Sequence, residues 1–233
     1  MARLFTFTRS SQLVGFFLSC ALLPSAMAQT CGSQGVALQV LGSGGPELQG
    51  KRASSSYLVW EDGRPRVLVD AGGGSALRFG ESGARISQLD VILFTHLHVD
   101  HSGDFAALIE SATFEGRSRP LPIYGPAGNQ FMPATTEFVA DLFGDKGGAY
   151  RYLSLLLGSR ESDSYKIYPH DVPNAAKPIV VVGVGDHVAS AVNVVRGGFP
   201  ELAWRLEMGG KRIVFSGDTN GEGGLTELAA NAD

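Results

Sequence analysis

Cysteine is nearly missing from this sequence, with two residues, Cys20 and Cys31, among 233. Cys20 falls in an N-terminal stretch with the composition of a removable leader, so the rest of the chain keeps one thiol and an intramolecular disulfide is excluded. The fold must then be held by its apolar core, and by any metal it binds. Charge is sparse as well: charged residues make up 18% of the chain, the formal net charge is -4, and no cluster of Lys and Arg occurs. Electrostatics therefore give no reason to expect a polyanion, and no nucleic-acid partner is expected. There is no G-x-S-x-G elbow and no cysteine in a catalytic context, so no covalent nucleophile is proposed. Histidine, with five residues, is rare enough that its placement carries information.

The first 28 residues stand apart in composition. Arg3 and Arg9 supply a positive start, Leu13 to Leu23 form an apolar stretch too short to span a bilayer, and Ala26-Met27-Ala28 has the small-x-small form of a peptidase site. The expectation is a signal peptide over residues 1–28 and a periplasmic or secreted product without a stable membrane anchor. Residues 29–233 suffice for one sizeable core and are too few for two ordinary domains.

Glycine, at 31 residues, separates short apolar runs, as in strands joined by tight turns. Strands are predicted over 36–41, 56–60, 66–69, 90–94, 122–124, 178–184, 192–195, 201–207 and 211–216. The second and third form a hairpin around EDGRP, with Asp62-Gly63 as the turn. Helices are predicted over 75–82, 102–111 and 133–142. Strands in groups with helices between them predict sheets covered by helices in a single α/β domain.

Three of the five histidines sit together, in THLHVDH at 95–101. His96 and His98 are two apart, so at a strand end their side chains point to the same side. Asp100 and His101 follow where the chain turns towards a helix. Neutral imidazoles and a carboxylate are the donors that zinc and similar metals prefer, and a strand-end loop holds such donors in place.

This segment resembles the signature of the metallo-β-lactamase superfamily, and the resemblance covers most of the chain after the leader. VLGSGGP at 40–46, SSSYLV at 54–59, VLVDAGGG at 67–74 and IVFSGDT at 213–219 support it. The resemblance implies an αββα sandwich with a metal site at one edge between two sheets. It makes His96 and His98 ligands of one metal, Asp100 and His101 ligands of a second, and Asp218 a bridge between them. Two zinc ions would then share a hydroxide, with Asp100 as the general acid–base group.

The Asp in SGDT is similar to that of the phosphodiesterase, ribonuclease Z-like and arylsulfatase-like branches, and a non-acidic His98 argues against the oxygen-reducing di-iron branch. Since export would separate the chain from transfer RNA, the substrate expected is a small-molecule phosphodiester or sulfate ester, with lactonase or β-lactamase activity behind it. Two departures qualify the resemblance. In RGGFPELAWR, Arg196 stands where the family has a histidine, and a guanidinium has no free lone pair to offer a metal. His187 and His170 are the spare histidines considered as replacements. The chain also stops at LTELAANAD, where the family would place a further strand bearing another histidine, so the C-terminal portion of the fold is expected to be missing. The alternative is a non-catalytic or weakened relative that binds metal or ligand.

Overall fold

The computed structural model describes residues 33–158, 165–184 and 187–233. Residues 1–28, expected as a leader, and Cys31 lie outside them. Among the described residues ten strands form two sheets: β1 (Val36–Gly42), β2 (Ser56–Glu61), β3 (Arg64–Val69), β4 (Val91–Leu93), β5 (Leu121–Pro126) and β6 (Ile167–Val172) pair in that order, and β7 (Ile179–Val184), β8 (His187–Asn193), β9 (Leu202–Met208) and β10 (Lys211–Phe215) form the second sheet. The α-helices of the described residues are α1 (Ser75–Glu81), α2 (Val99–Ser102), α3 (Phe105–Phe114), α4 (Thr135–Phe143) and α5 (Leu225–Leu228). In the first sheet β1 to β3 are antiparallel and β3 to β6 parallel, while the second sheet is wholly antiparallel.

Alternation along the central strands explains the layers. Successive side chains on a strand face opposite sides, and here both sides are apolar, as a sheet covered on both faces requires. Leu58, Trp60, Leu68 and Ile92 face Phe79, Phe105, Leu108, Ile109, Val139 and Phe143 from the helices. Their alternates Val59, Val67, Val69, Val91 and Leu93 face Ala189, Ala191, Trp204, Leu206 and Phe215 of the second sheet. Leu228 and Leu225 of α5 cover the outer side of that sheet, on Val192, Ala203 and Val214. The order helix, sheet, sheet, helix is the expected αββα sandwich.

The hairpin between β2 and β3 turns on Asp62-Gly63, both with positive φ (48° and 73°), as a two-residue type I′ turn demands. Other expectations need correction. The helix predicted over 102–111 is two helices, α2 and α3. His96 and His98 do not sit on a strand: β4 ends at Leu93, Phe94 N still donates to Tyr124 O of β5 at 2.7 Å, and Thr95 N then turns away to the Asp70 carboxylate at 2.8 Å. β6 was not predicted, since Pro169 lies within it, a placement tolerated on the outermost strand of a sheet. The strand predicted at 192–195 is the end of β8, which begins at His187.

Candidate metal centre

The sandwich places one set of loops together, those following β4, β8 and β10. The two sheets are tied at this edge by main-chain and ring hydrogen bonds, Leu202 N to Thr95 O at 2.9 Å and Trp204 Nε1 to Phe94 O at 2.8 Å. The loop after β3 closes the floor. Ala71 N donates to His101 O at 2.7 Å, and Gly72 lies so close to the following loop that a Cβ there would stand 2.0 Å from Asp100 O. Glycine is obligatory at that contact. At Gly217 the backbone takes φ 62°, and a Cβ would meet Glu201 Oε1 at 2.6 Å, so this residue lets the SGD turn fold against Glu201.

All five residues expected as ligands meet here. His96 Nε2 and His98 Nδ1 are 3.0 Å apart. His101 Nε2 faces Asp218 Oδ1 at 3.4 Å and Asp100 Oδ2 at 3.7 Å. Donor atoms of His96, His101 and Asp218, and likewise those of His96, His98 and Asp100, lie within 4.8 Å of one another. The two spare histidines are elsewhere. His187 begins β8, at the other end of that strand from the cluster, with Nε2 2.8 Å from Glu61 Oε2. His170 is exposed on β6 and stacks on Tyr124 at 4.6 Å.

Two carboxylates that the sequence did not mark complete the arrangement. Asp70 Oδ2 lies 2.8 Å from His101 Nδ1 and also accepts from Thr95 Oγ1. Glu201 Oε1 lies 2.9 Å from His96 Nδ1 and accepts from Asp218 N at 2.7 Å. A carboxylate behind a histidine fixes the tautomer, leaving Nε2 with its lone pair turned to the site. Asp70 and Glu201 are both fully buried, which makes each a committed partner rather than a solvated acid.

Charge follows this layout. Burial, then the neighbouring His101, pushes the His96 ring down to about 4, so at neutral pH it offers a lone pair. Burial, His96 and Arg196 lower His98 as well. For His101 burial opposes the charged form, yet the hydrogen bond and charge of Asp70, with Asp218 and Asp100 behind them, carry it above the ordinary value. Burial raises Glu201 to about 8 against the Asp218 hydrogen bond, and its Oε2 is buried without a hydrogen-bond partner.

Whether these donors suit a metal differs across the site. Tetrahedral donors about 2.1 Å from one ion are roughly 3.4 Å apart, which is close to the spacings of His101 Nε2 from Asp218 Oδ1 and from Asp100 Oδ2, so His101 has the spacing to share an ion with either carboxylate. The pair His96 and His98 instead holds Arg196, whose Nη1 is 2.9 Å from His96 Nε2 and 3.1 Å from His98 Nδ1. Beside it opens a cleft of about 400 Å³, bordered by Asn129, Asn174, Asn193, Arg196, Phe199 and Glu201.

A family model described as the metallo-beta-lactamase superfamily matches residues 50–231. A protein of Mycolicibacterium paratuberculosis (strain ATCC BAA-968 / K-10) named Ribonuclease Z is 32% identical over 209 residues, covering 84% of this chain and 68% of the relative. One of the same name from Mycolicibacterium gilvum (strain PYR-GCK) is 31% identical, covering 84% and 66%. The chain thus spans about two thirds of the length of the curated relatives it matches. The structure of the short form of human tRNase Z shares the fold with a TM-score of 0.64 at 19% identity, covering 84% of this chain and 75% of that one. The metallo-beta-lactamase fold protein YhfI from Bacillus subtilis gives 0.53 at 18%, covering 78% and 61%. These relatives overturn the expectation of a small-molecule ester substrate and of no nucleic acid, since their name is that of a ribonuclease. Sparse positive charge was a poor guide, because a chain can take a polyanion at a local centre without a basic face. The chain belongs to the metallo-β-lactamase superfamily of hydrolases, in its ribonuclease Z-like branch.

Proposed function

We propose that this chain is a metal-dependent phosphodiesterase acting on RNA. The observation that carries the reading is the convergence of His96, His98, Asp100, His101 and Asp218 at one edge of the sandwich, in a chain about 30% identical to proteins named Ribonuclease Z.

His101, Asp218 and Asp100 would hold a divalent ion, and their nitrogen and oxygen donors favour zinc. Such an ion supplies Lewis acidity and a bound water of lowered pKa. The chain's own groups do the rest. Asp70 holds the His101 ring so that Nε2 faces the centre, and Glu201 does the same for His96. Asp100, buried at the start of α2, is placed to take a proton from the attacking water and return one to the leaving oxygen. Arg196, bordering the cleft, sets a permanent positive charge beside the position of a phosphate. Phe199, which meets His98 edge-on at 4.9 Å and is partly exposed, offers a ring to a neighbouring base.

The test is incubation of the purified, metal-loaded chain with a structured RNA, a phosphodiester dye ester and an aryl sulfate. Cleavage of RNA that stops with chelator and with Asp218→Ala is expected. Intact RNA beside hydrolysed small esters would reject the reading.

A further inference from the structure

Arg196 stands where the family resemblance placed a metal-binding histidine, and its geometry is specific. Nη1 stands 2.9 Å from His96 Nε2, 3.1 Å from His98 Nδ1 and 2.5 Å from Asp218 Oδ2. These three acceptors come from two loops that meet only when the sandwich closes. They are also the donor atoms that would surround a first metal ion. An ion bound by the three would need the space that Nη1 fills, and it would lie against a like charge. From these contacts we propose that the Arg196 guanidinium is a built-in substitute for the first metal, so that the chain takes a single divalent ion, on the His101 side.

The chemistry of each partner agrees. Glu201 accepts from His96 Nδ1–H, so His96 presents Nε2 as an acceptor, which suits an N–H donor as well as a metal. A guanidinium keeps its charge at any ordinary pH and cannot be displaced by losing a proton. Nη1 carries two hydrogens for three acceptors, so charge holds it as much as directed bonds do. The backbone around it is fixed: Val194 N donates to Glu201 O at 3.1 Å, Phe199 N to Arg196 O at 3.1 Å, and Asn220 N to Val195 O at 3.1 Å. Arg196 therefore reaches the site from an anchored turn.

On the other half of the site His101 keeps ion-like spacing to two carboxylates. His101 Nε2, with Asp218 Oδ1 at 3.4 Å and Asp100 Oδ2 at 3.7 Å, has its opposite nitrogen locked on Asp70. Asp218 faces both sides, giving Oδ2 to Arg196 and Oδ1 to His101. It would join guanidinium to ion. A guanidinium can neutralise charge on a phosphate but cannot activate water. That task falls to the His101 side alone.

This inference rests on the metal-hydrolase reading but not on the identity of the substrate. The experiment is metal counting: the full chain is equilibrated with excess zinc, desalted and measured by elemental analysis, with cobalt absorbance titration as a second readout. About one ion per chain is expected for the native protein, about two for Arg196→His, and none tightly held for His101→Ala. Melting curves show that each variant is folded. Should Arg196→His fail to fold, the native and His101→Ala counts decide alone. Two ions in the native protein, or none, would overturn the inference, as would one ion retained by folded His101→Ala. A chain that holds one ion and leaves RNA intact would remove the RNA reading and keep this one. A chain that holds two ions and cleaves RNA would do the reverse.

Discussion

Asp70 Oδ2 and His101 Nδ1 are 2.8 Å apart with both side chains buried. The ring can then direct only Nε2 into the centre. Asp70→Asn keeps the shape and tolerates the positive φ of 59° found here, but sets an amide where a carboxylate fixed the tautomer. Loss of such a partner lowers metal affinity about 10–100-fold. Competition with a zinc chelator measures this, and unchanged affinity would remove Asp70 from the site.

Glu201 makes a pH prediction for the metal-free protein. Its folded pKa is raised to about 8, so the stability it contributes is fully present below the ordinary 4.5 and is lost as pH rises through about 8. His96, lowered to about 4, acts with the opposite sign, but its contribution is complete above 6.5. His101, raised, acts in the same direction as Glu201. The melting temperature of chelated protein should therefore fall from pH 6.5 to 8, and less steeply in Glu201→Gln. A native curve that rises over that interval would contradict the burial assigned to this carboxyl.

Trp204 joins the sheets through its ring and its N–H. Trp204→Ala should cost about 3–5 kcal/mol. Trp204→Phe keeps a ring but leaves the Phe94 carbonyl without its donor, at about 1–3 kcal/mol. Denaturant unfolding of both variants checks this. A neutral Trp204→Phe would mean that the hydrogen bond across the sandwich contributes nothing.

RNA binding should depend weakly on salt. Arg196 is the basic residue among those bordering the cleft, and each phosphate neutralised in a single strand gives a slope of about -0.7 in log K against log salt. A slope of about -0.7 is expected for the metal-free protein. One steeper than about -3 would require a basic surface away from the centre.

The leader reading predicts a mature N-terminus at Gln29. N-terminal sequencing of protein from a bacterial periplasmic fraction should find it there, and an intact Met1 on all of the folded protein would reject export by this route.

What the sequence disclosed depended on how local the cause was. Strand β1 follows from alternation over a few residues, β4 from a short apolar run, and the pair β2 and β3 from the Asp62-Gly63 turn between them. THLHVDH and SGDT mark five donors because each motif is contiguous. Asp70 and Glu201 escaped because each serves a histidine far along the chain, and neither DAGGG nor FPELAW shows by itself that its acid is buried. Arg196 could be excluded as a ligand from its chemistry alone, but that its nitrogen lies between His96 and His98 follows only from the closed sandwich. The substrate was misjudged for another reason: composition over a terminus and over the whole chain was allowed to outweigh the residues at the site.

The donors come from both halves of the sandwich, with His96, His98 and His101 following β4 while Arg196 and Asp218 follow β8 and β10. Any occupant of the centre is therefore a rivet across the seam, and unfolding must expel it. At a hundred times its dissociation constant such an occupant adds about 2.7 kcal/mol to stability. Melting temperature alone then becomes a binding assay, able to rank ions, phosphates and oligonucleotides before any turnover is seen.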